Sequence, residues 1–256
     1  MRVSNTMFKT ASQSFSVKRH RHNSFQFKQF TIEQSDCAMK VTTDACLLGS
    51  ITPVEKVGNV LDIGAGTGLL SLMVAQRCDA DILAVELDTA ASEQATRNFL
   101  QSPWSERLQV INSAIQTIVQ SSITTFERII CNPPFFENCL LAREQKRAQA
   151  RHTDTLSFRS LAHAIATLLS QDGQAWVMLP VNFSGVFNQQ VLEHGLFLTQ
   201  TIDVRSSSER QPHRHILVIE HTEKPLIKKM IALYDKHPTY SAAFTELMKP
   251  YYLFLS

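Results

Sequence analysis

The chain has 256 residues, 44% of them hydrophobic and 19% charged, which supports a sizeable buried core and argues against a disordered polymer. No run approaches the roughly eighteen apolar residues of a membrane span, and the five cysteines (Cys37, Cys46, Cys78, Cys131, Cys139) are odd in number and form no C-x-x-C pair. That usage argues against a disulfide framework or a cysteine zinc site and predicts a reducing, cytoplasmic setting, while the net charge of +2 leaves any polyanion contact to local clusters.

From residue 55 onward, short apolar runs alternate with longer helix-like segments. Val60–Ile63 reads as a buried strand, Leu69–Arg77 as a helix, Ile82–Leu87 as a strand, and Thr89–Gln101 as a helix ending before Pro103. Leu108–Ile111 and Phe126–Cys131 are further strands; Leu156–Leu169 has helical spacing, and Ala175–Leu179 is the next strand. Asn182–His194 is a helix closed by Gly195, and Leu196–Val204 and His215–His221 are two final strands. This alternation predicts a doubly wound α/β sheet whose last pair forms an antiparallel hairpin at one edge. Residues 1–24 are expected to form a basic tail and residues 25–256 a single domain, with a helical appendage over about Ser241–Leu253.

Strand one runs into Asp62-Ile63-Gly64-Ala65-Gly66-Thr67-Gly68 and then a helix. Gly64, Gly66 and Gly68 let the backbone approach a ligand beyond the carboxyl ends of the strands. The acid two residues before the first glycine disfavours a pyrophosphate and suits an ammonium, so Asp62 is expected at the mouth of the site. Glu86 closes the second strand, where a carboxylate can accept from both hydroxyls of a ribose. The combination resembles the class I methyltransferases, Rossmann-like proteins with a seven-stranded, mostly parallel sheet, and implies S-adenosylmethionine as cofactor. A nicotinamide enzyme is the rival reading of the glycine loop, and Asp88 is better read as a helix N-terminal acid than as a ligand.

The fourth strand ends in Asn132-Pro133-Pro134-Phe135. An amino group conjugated to a ring or carbonyl is a poor nucleophile because its lone pair is delocalised. Two acceptors, the Asn132 side-chain oxygen and the Pro133 carbonyl, can hold both N–H bonds and turn the lone pair toward a methyl donor. Paired prolines stiffen the loop, and Phe135 can stack on a planar substrate. The work is positioning and electrostatics, with no strong base required.

The segment Phe25–Gly49, with Phe27-Lys28-Gln29-Phe30 and Cys37-Ala38-Met39-Lys40-Val41-Thr42-Thr43-Asp44, is not general to the cofactor fold. Together with Asn132–Phe135, Arg147-Ala148-Gln149-Ala150-Arg151-His152 and Tyr251-Tyr252-Leu253-Phe254, it resembles the bacterial tRNA (adenine-N6) methyltransferases that modify a valine tRNA beside its anticodon. The resemblance implies methylation of the N6 amine of an adenosine in the anticodon loop, adenosine 37 of a valine tRNA, with a tRNA partner, no metal and no obligate protein partner. It also implies that Lys40, Thr43 and Asp44 line the cofactor mouth. Two departures stand out: Phe135 occupies a position usually held by tyrosine, and Ala114 one that tends to be an aspartate meeting the cofactor adenine. Asn112 or Ser113 could then supply that contact.

Two basic clusters suit a polyanion. Residues 1–32 carry Arg2, Lys9, Lys18, Arg19, Arg21 and Lys28 without an acid, and Arg143, Lys146, Arg147 and Arg151 surround the single acid Glu144. Both clusters are expected to touch RNA phosphates; a solvated face, with a disordered tail for the first, is the plain alternative. Arg210, His213 and Arg214 could also meet phosphate. The His20/His22 and His213/His215 pairs lack carboxylate or cysteine at ligand spacing, against a metal site. Tyr251, Tyr252 and Phe254 are expected to pack. The alternatives are a ribosomal RNA guanine-N2 methyltransferase, which often carries Asn-Pro-Pro-Phe but typically has a histidine where Phe136 stands, and a protein glutamine methyltransferase, which usually carries an N-terminal helical domain. A catalytically dead RNA-binding module on the same fold would not need an intact Asn132–Phe135.

Overall fold

The computed structural model describes residues 23–37, 39–121, 124–133 and 156–255. The apolar run at Val60–Ile63 is the middle of the sheet. This strand, β3 (Asn59–Ile63), lies between β4 (Asp81–Glu86) and β6 (Phe126–Cys131) and is parallel to both. Beyond β4 lies β5 (Leu108–Asn112), and beyond β6 lies β7 (Leu169–Pro180), again parallel. The chain builds outward from β3 through β4 to β5, then returns to β3's other side with β6. That reversal marks the carboxyl ends of β3 and β6 as the place where open α/β sheets bind ligands.

On the far side of the sheet the seven expected strands are completed by an antiparallel pair, which is not itself the edge. The strands β8 (Phe197–Ser207) and β9 (Arg214–Glu220) do pair antiparallel, but β9 is inserted between β7 and β8. Ile216–Ile219 are buried, and a strand apolar on both faces belongs inside a sheet rather than at its rim. Two further strands, β10 (Ile227–Lys236), parallel to β8, and the short β11 (Thr239–Tyr240), extend the sheet to nine among the described residues. Only Ile231 and Leu233 of β10 are buried, too few for its period to stand out from the lysines around them. The helix α1 (Thr43–Ile51) is also new, as its Ala45–Ser50 stretch is buried all round and shows no amphipathic stripe.

Helices cover both faces. On one side α1, α2 (Leu69–Ala75), α3 (Thr89–Leu100) and α7 (Ala242–Met248) share a core with the antiparallel pair β1 (Ser24–Gln26) and β2 (Thr31–Glu33). On the other lie α4 (Ile115–Ser121), α5 (Phe158–Leu168) and α6 (Val181–Glu193). Asn23 already accepts from Gln34 N–H at 2.7 Å, so ordered pairing begins before the expected boundary at Phe25. The C-terminal segment is core rather than appendage: Phe244, Met248, Tyr251 and Tyr252 are buried, and the Tyr251 hydroxyl donates to the Met73 carbonyl at 2.8 Å. Asn98, fully buried, fastens the β1–β2 unit to the cofactor loop. It accepts from Glu33 N–H at 2.9 Å and donates to the carbonyls of Glu33 and Thr67, both at 2.9 Å.

Candidate active site

Strand register brings the three decisive residues to one level. Ile63 pairs with Val85 on one side and Cys131 on the other, so Gly64, Glu86 and Asn132 follow side by side at the ends of β3, β4 and β6. At about 4.8 Å between strands, Asn132 and Glu86 lie some 10 Å apart across the glycine loop. Glu86 faces that loop: its Oε2 accepts from Gly66 N–H at 2.8 Å and its Oε1 from Asp88 N–H at 2.9 Å. Each oxygen keeps a further lone pair, so the carboxylate can also accept from ribose hydroxyls. Asp88 caps α3, accepting from Ala91 N–H at 2.8 Å.

The loop needs its glycines, each for a different reason. Gly64, Gly66 and Gly68 have φ of 75°, 56° and 79°. A Cβ on Gly64 would meet nothing within 4 Å, so open room lies above it, whereas one on Gly68 would stand 2.4 Å from the Phe99 ring. Gly68→Ala is therefore expected to cost about 2–4 kcal/mol of stability from backbone and steric strain combined. Gly64→Ala should cost about 1–2 kcal/mol and act mainly on cofactor affinity. Urea unfolding beside calorimetric titration separates the two, and equal destabilisation by both variants would refute the distinction.

Asp62 sits one layer deeper than the mouth where the sequence suggested it. It is fully buried beneath the loop, with Oδ2 accepting from Ser71 Oγ at 2.7 Å and Ser71 N–H at 3.2 Å. Its Oδ1 is buried without a hydrogen-bond partner. Burial pushes the carboxyl up to about 7, opposed by the Ser71 bonds and assisted by the charge on Glu86. The folded chain thus holds this proton more tightly than the unfolded one. The resulting stabilisation is complete below the ordinary value of 3.8 and is lost as pH rises through about 7. Asp62→Asn is expected to flatten the fall in unfolding free energy between about pH 4 and about pH 7. An unchanged pH profile would show that Asp62 does not cause that fall.

The segment leading into α1 crosses the loop, since Cys37 Sγ lies 3.7 Å from where a Gly66 Cβ would stand. Thr42 caps α1 by accepting from Ala45 N–H at 3.1 Å. Asp44 is held from β9: His213 Nε2 lies 3.1 Å from its Oδ1, and Arg214 Nε 3.8 Å from its Oδ2. His213 and Arg214 thus fasten the covering segment, a role their sequence did not reveal. Lys40 is exposed, and Thr43, at the start of α1, lies beside Tyr240. Neither signals its ligand directly.

Asn112 is tied into the fold at the end of β5. Its amide donates to the carbonyls of Glu86 and Leu87 at 2.9 and 3.0 Å, and its oxygen accepts from Thr89 Oγ1 at 3.0 Å. It holds the turn after β4, and Ser113 N–H donates to the Glu86 carbonyl at 3.0 Å. Of the amino motif, Asn132 is half-buried and Pro133 buried; Pro134, Phe135, Arg143, Lys146, Arg147 and Arg151 lie outside the described residues. Among the described residues no group of His, Cys, Asp or Glu could hold a metal, and no helix is long and apolar enough to cross a membrane.

The room above Gly64, the unpartnered Asp62 Oδ1 and the Glu86 carboxylate fit the amino-acid and ribose ends of S-adenosylmethionine. Residues 37–179 match the methyltransferase small domain family. Among solved structures, a predicted O-methyltransferase from Agrobacterium tumefaciens superposes with a TM-score of 0.60 at 16% identity, over 79% of this chain and 94% of that one. A methyltransferase from Pyrococcus furiosus gives 0.57 at 19% identity, over 76% and 90%. Fold and site together define a class I S-adenosylmethionine-dependent methyltransferase. A protein of Shewanella frigidimarina named tRNA1(Val) (adenine(37)-N6)-methyltransferase is 41% identical over 248 residues, covering 90% of this chain and 99% of its own. The Escherichia fergusonii protein of the same name is 39% identical over 246 residues, covering 95% and 100%. The chain belongs to the tRNA1(Val) (adenine(37)-N6)-methyltransferase family.

Proposed function

We propose that the protein transfers a methyl group from S-adenosylmethionine to the N6 amine of adenosine 37 of tRNA1(Val). The observation that carries this reading is Asn132 at the end of β6, one strand from the glycine loop, in a chain of this family. S-adenosylmethionine supplies an electrophilic methyl on its sulfonium. Glu86 takes the ribose hydroxyls, and Asp62 Oδ1, under the loop, faces the α-ammonium end. The Asn132 side-chain oxygen and the Pro133 carbonyl accept the two N–H bonds of the adenine amine. This orients the lone pair and stabilises the positive charge that grows on nitrogen during transfer. The methylated ammonium is acidic and loses its proton to water. An anticodon-loop base splays outward without the cost of opening a duplex. Arg143, Lys146, Arg147 and Arg151 contact RNA phosphates.

The test incubates the enzyme and labelled cofactor with unmodified tRNA, ribosomal RNA and a release-factor peptide, and identifies the product. N6-methyladenosine in tRNA supports the reading. N2-methylguanosine in ribosomal RNA, or methylglutamine in the peptide, replaces it.

A further inference from the structure

The β10–β11 hairpin and the segment after α7 build a feature that methyl transfer itself does not use. Tyr234, Tyr240 and Phe254 form a ladder of near-parallel rings. The Tyr234 and Tyr240 centroids are 5.0 Å apart at 16°, and those of Tyr240 and Phe254 6.3 Å apart at 18°. The two tyrosines are half-buried against the core, whereas Phe254 is 66% exposed. Phe254 therefore does not simply pack, as its place beside Tyr251 and Tyr252 suggested; it presents an open aromatic surface.

The ladder stands at the end of the sheet that carries the active site. Tyr234 pairs with Ser207, at the end of β8, which runs in the same direction as β6. Tyr240 lies beside Thr43, where the segment crossing the glycine loop enters α1. From β6 to β10 is four strand spacings, about 19 Å. That distance is too far for the methylated base and suits another nucleotide of the same loop. The rim charge is mixed, with exposed Arg210 and Lys236 offset by exposed Glu209 and Asp235. Phosphate attraction is therefore weak here, and what the surface offers is a planar apolar face. Unpaired nucleic-acid bases are bound by stacking on such faces.

We infer that the Tyr234–Tyr240–Phe254 ladder is a stacking platform for an unpaired base of the substrate RNA, several nucleotides from the methylated adenosine. The inference rests on the tRNA reading above. It is tested with the full-length protein by comparing Phe254→Leu, which keeps apolar bulk but loses the ring, with Phe254→Trp, which keeps a ring. Phe254→Leu is expected to raise KM for unmodified tRNA about tenfold, the scale of one lost base stack. KM for S-adenosylmethionine and the melting temperature should stay the same, and Phe254→Trp should restore the tRNA KM. Because the contact is not ionic, the fold-change should persist at high salt. An unchanged tRNA KM in Phe254→Leu, or parallel changes in both KM values, would overturn the platform while leaving the tRNA reading intact. Failure of the wild-type enzyme to methylate any tRNA would remove both.

Discussion

Asn132→Ala is expected to lower turnover by about a hundredfold to a thousandfold, the loss typical of removing one preorganised hydrogen-bonding group from a transition state. S-adenosylmethionine affinity should stay within about twofold, because the contacts proposed for the cofactor come mainly from β3, β4 and the loop between β3 and α2 rather than from β6. The separation follows from where the charge develops. The adenine amine is nearly neutral in the ground state and becomes an ammonium as its lone pair attacks, so the acceptor oxygen matters most at the transition state. Asn132→Asp keeps an acceptor and should retain more activity than Asn132→Ala. Single-turnover methylation of tRNA, with calorimetry for the cofactor, checks both statements. Full turnover in Asn132→Ala would remove the amine clamp from the mechanism whatever the substrate.

The second large effect is expected at Glu86. Its carboxylate accepts from Gly66 and Asp88 N–H and is positioned to accept ribose hydroxyls as well. Charge-assisted hydrogen bonds contribute about 1.5–3 kcal/mol each, so Glu86→Ala should weaken S-adenosylmethionine binding roughly tenfold to a hundredfold. Glu86→Gln, with one acceptor oxygen in place of two, should fall between. Calorimetric titration decides this, and an unchanged Kd in Glu86→Ala, or preferential binding of a nicotinamide cofactor, would sink the assignment.

What was legible in the sequence had a local cause. The glycine loop, Glu86 and Asn132 stand at strand ends, and parallel register then places them side by side without further information. Asp88 as a helix cap is legible for the same reason, since its hydrogen bond reaches only to Ala91. What was not legible depended on partners remote in the chain. Asp62 reads as a mouth residue until β3's alternation turns its side chain toward α2 and Ser71. His213 and Arg214 read as residues that could meet phosphate, yet they hold Asp44 from far along the chain. The position of β9 inside the sheet and the presence of β10 are set by which edges the apolar faces need covered, and this is a property of the assembled sheet. The part Asn112 plays in holding the turn after β4 was not legible either, because its amide bonds to the Glu86 and Leu87 carbonyls come from a neighbouring strand.

The central claim is the identity of the methylated atom. Its most direct measurement is mass spectrometry of tRNA1(Val) purified from cells lacking the gene, without and with complementation by wild-type or Asn132→Ala enzyme. N6-methyladenosine at position 37 should be missing in the deletion strain, return with the wild-type enzyme and stay missing with Asn132→Ala. Retention of the modification in the deletion strain, or its restoration by Asn132→Ala, would contradict the account.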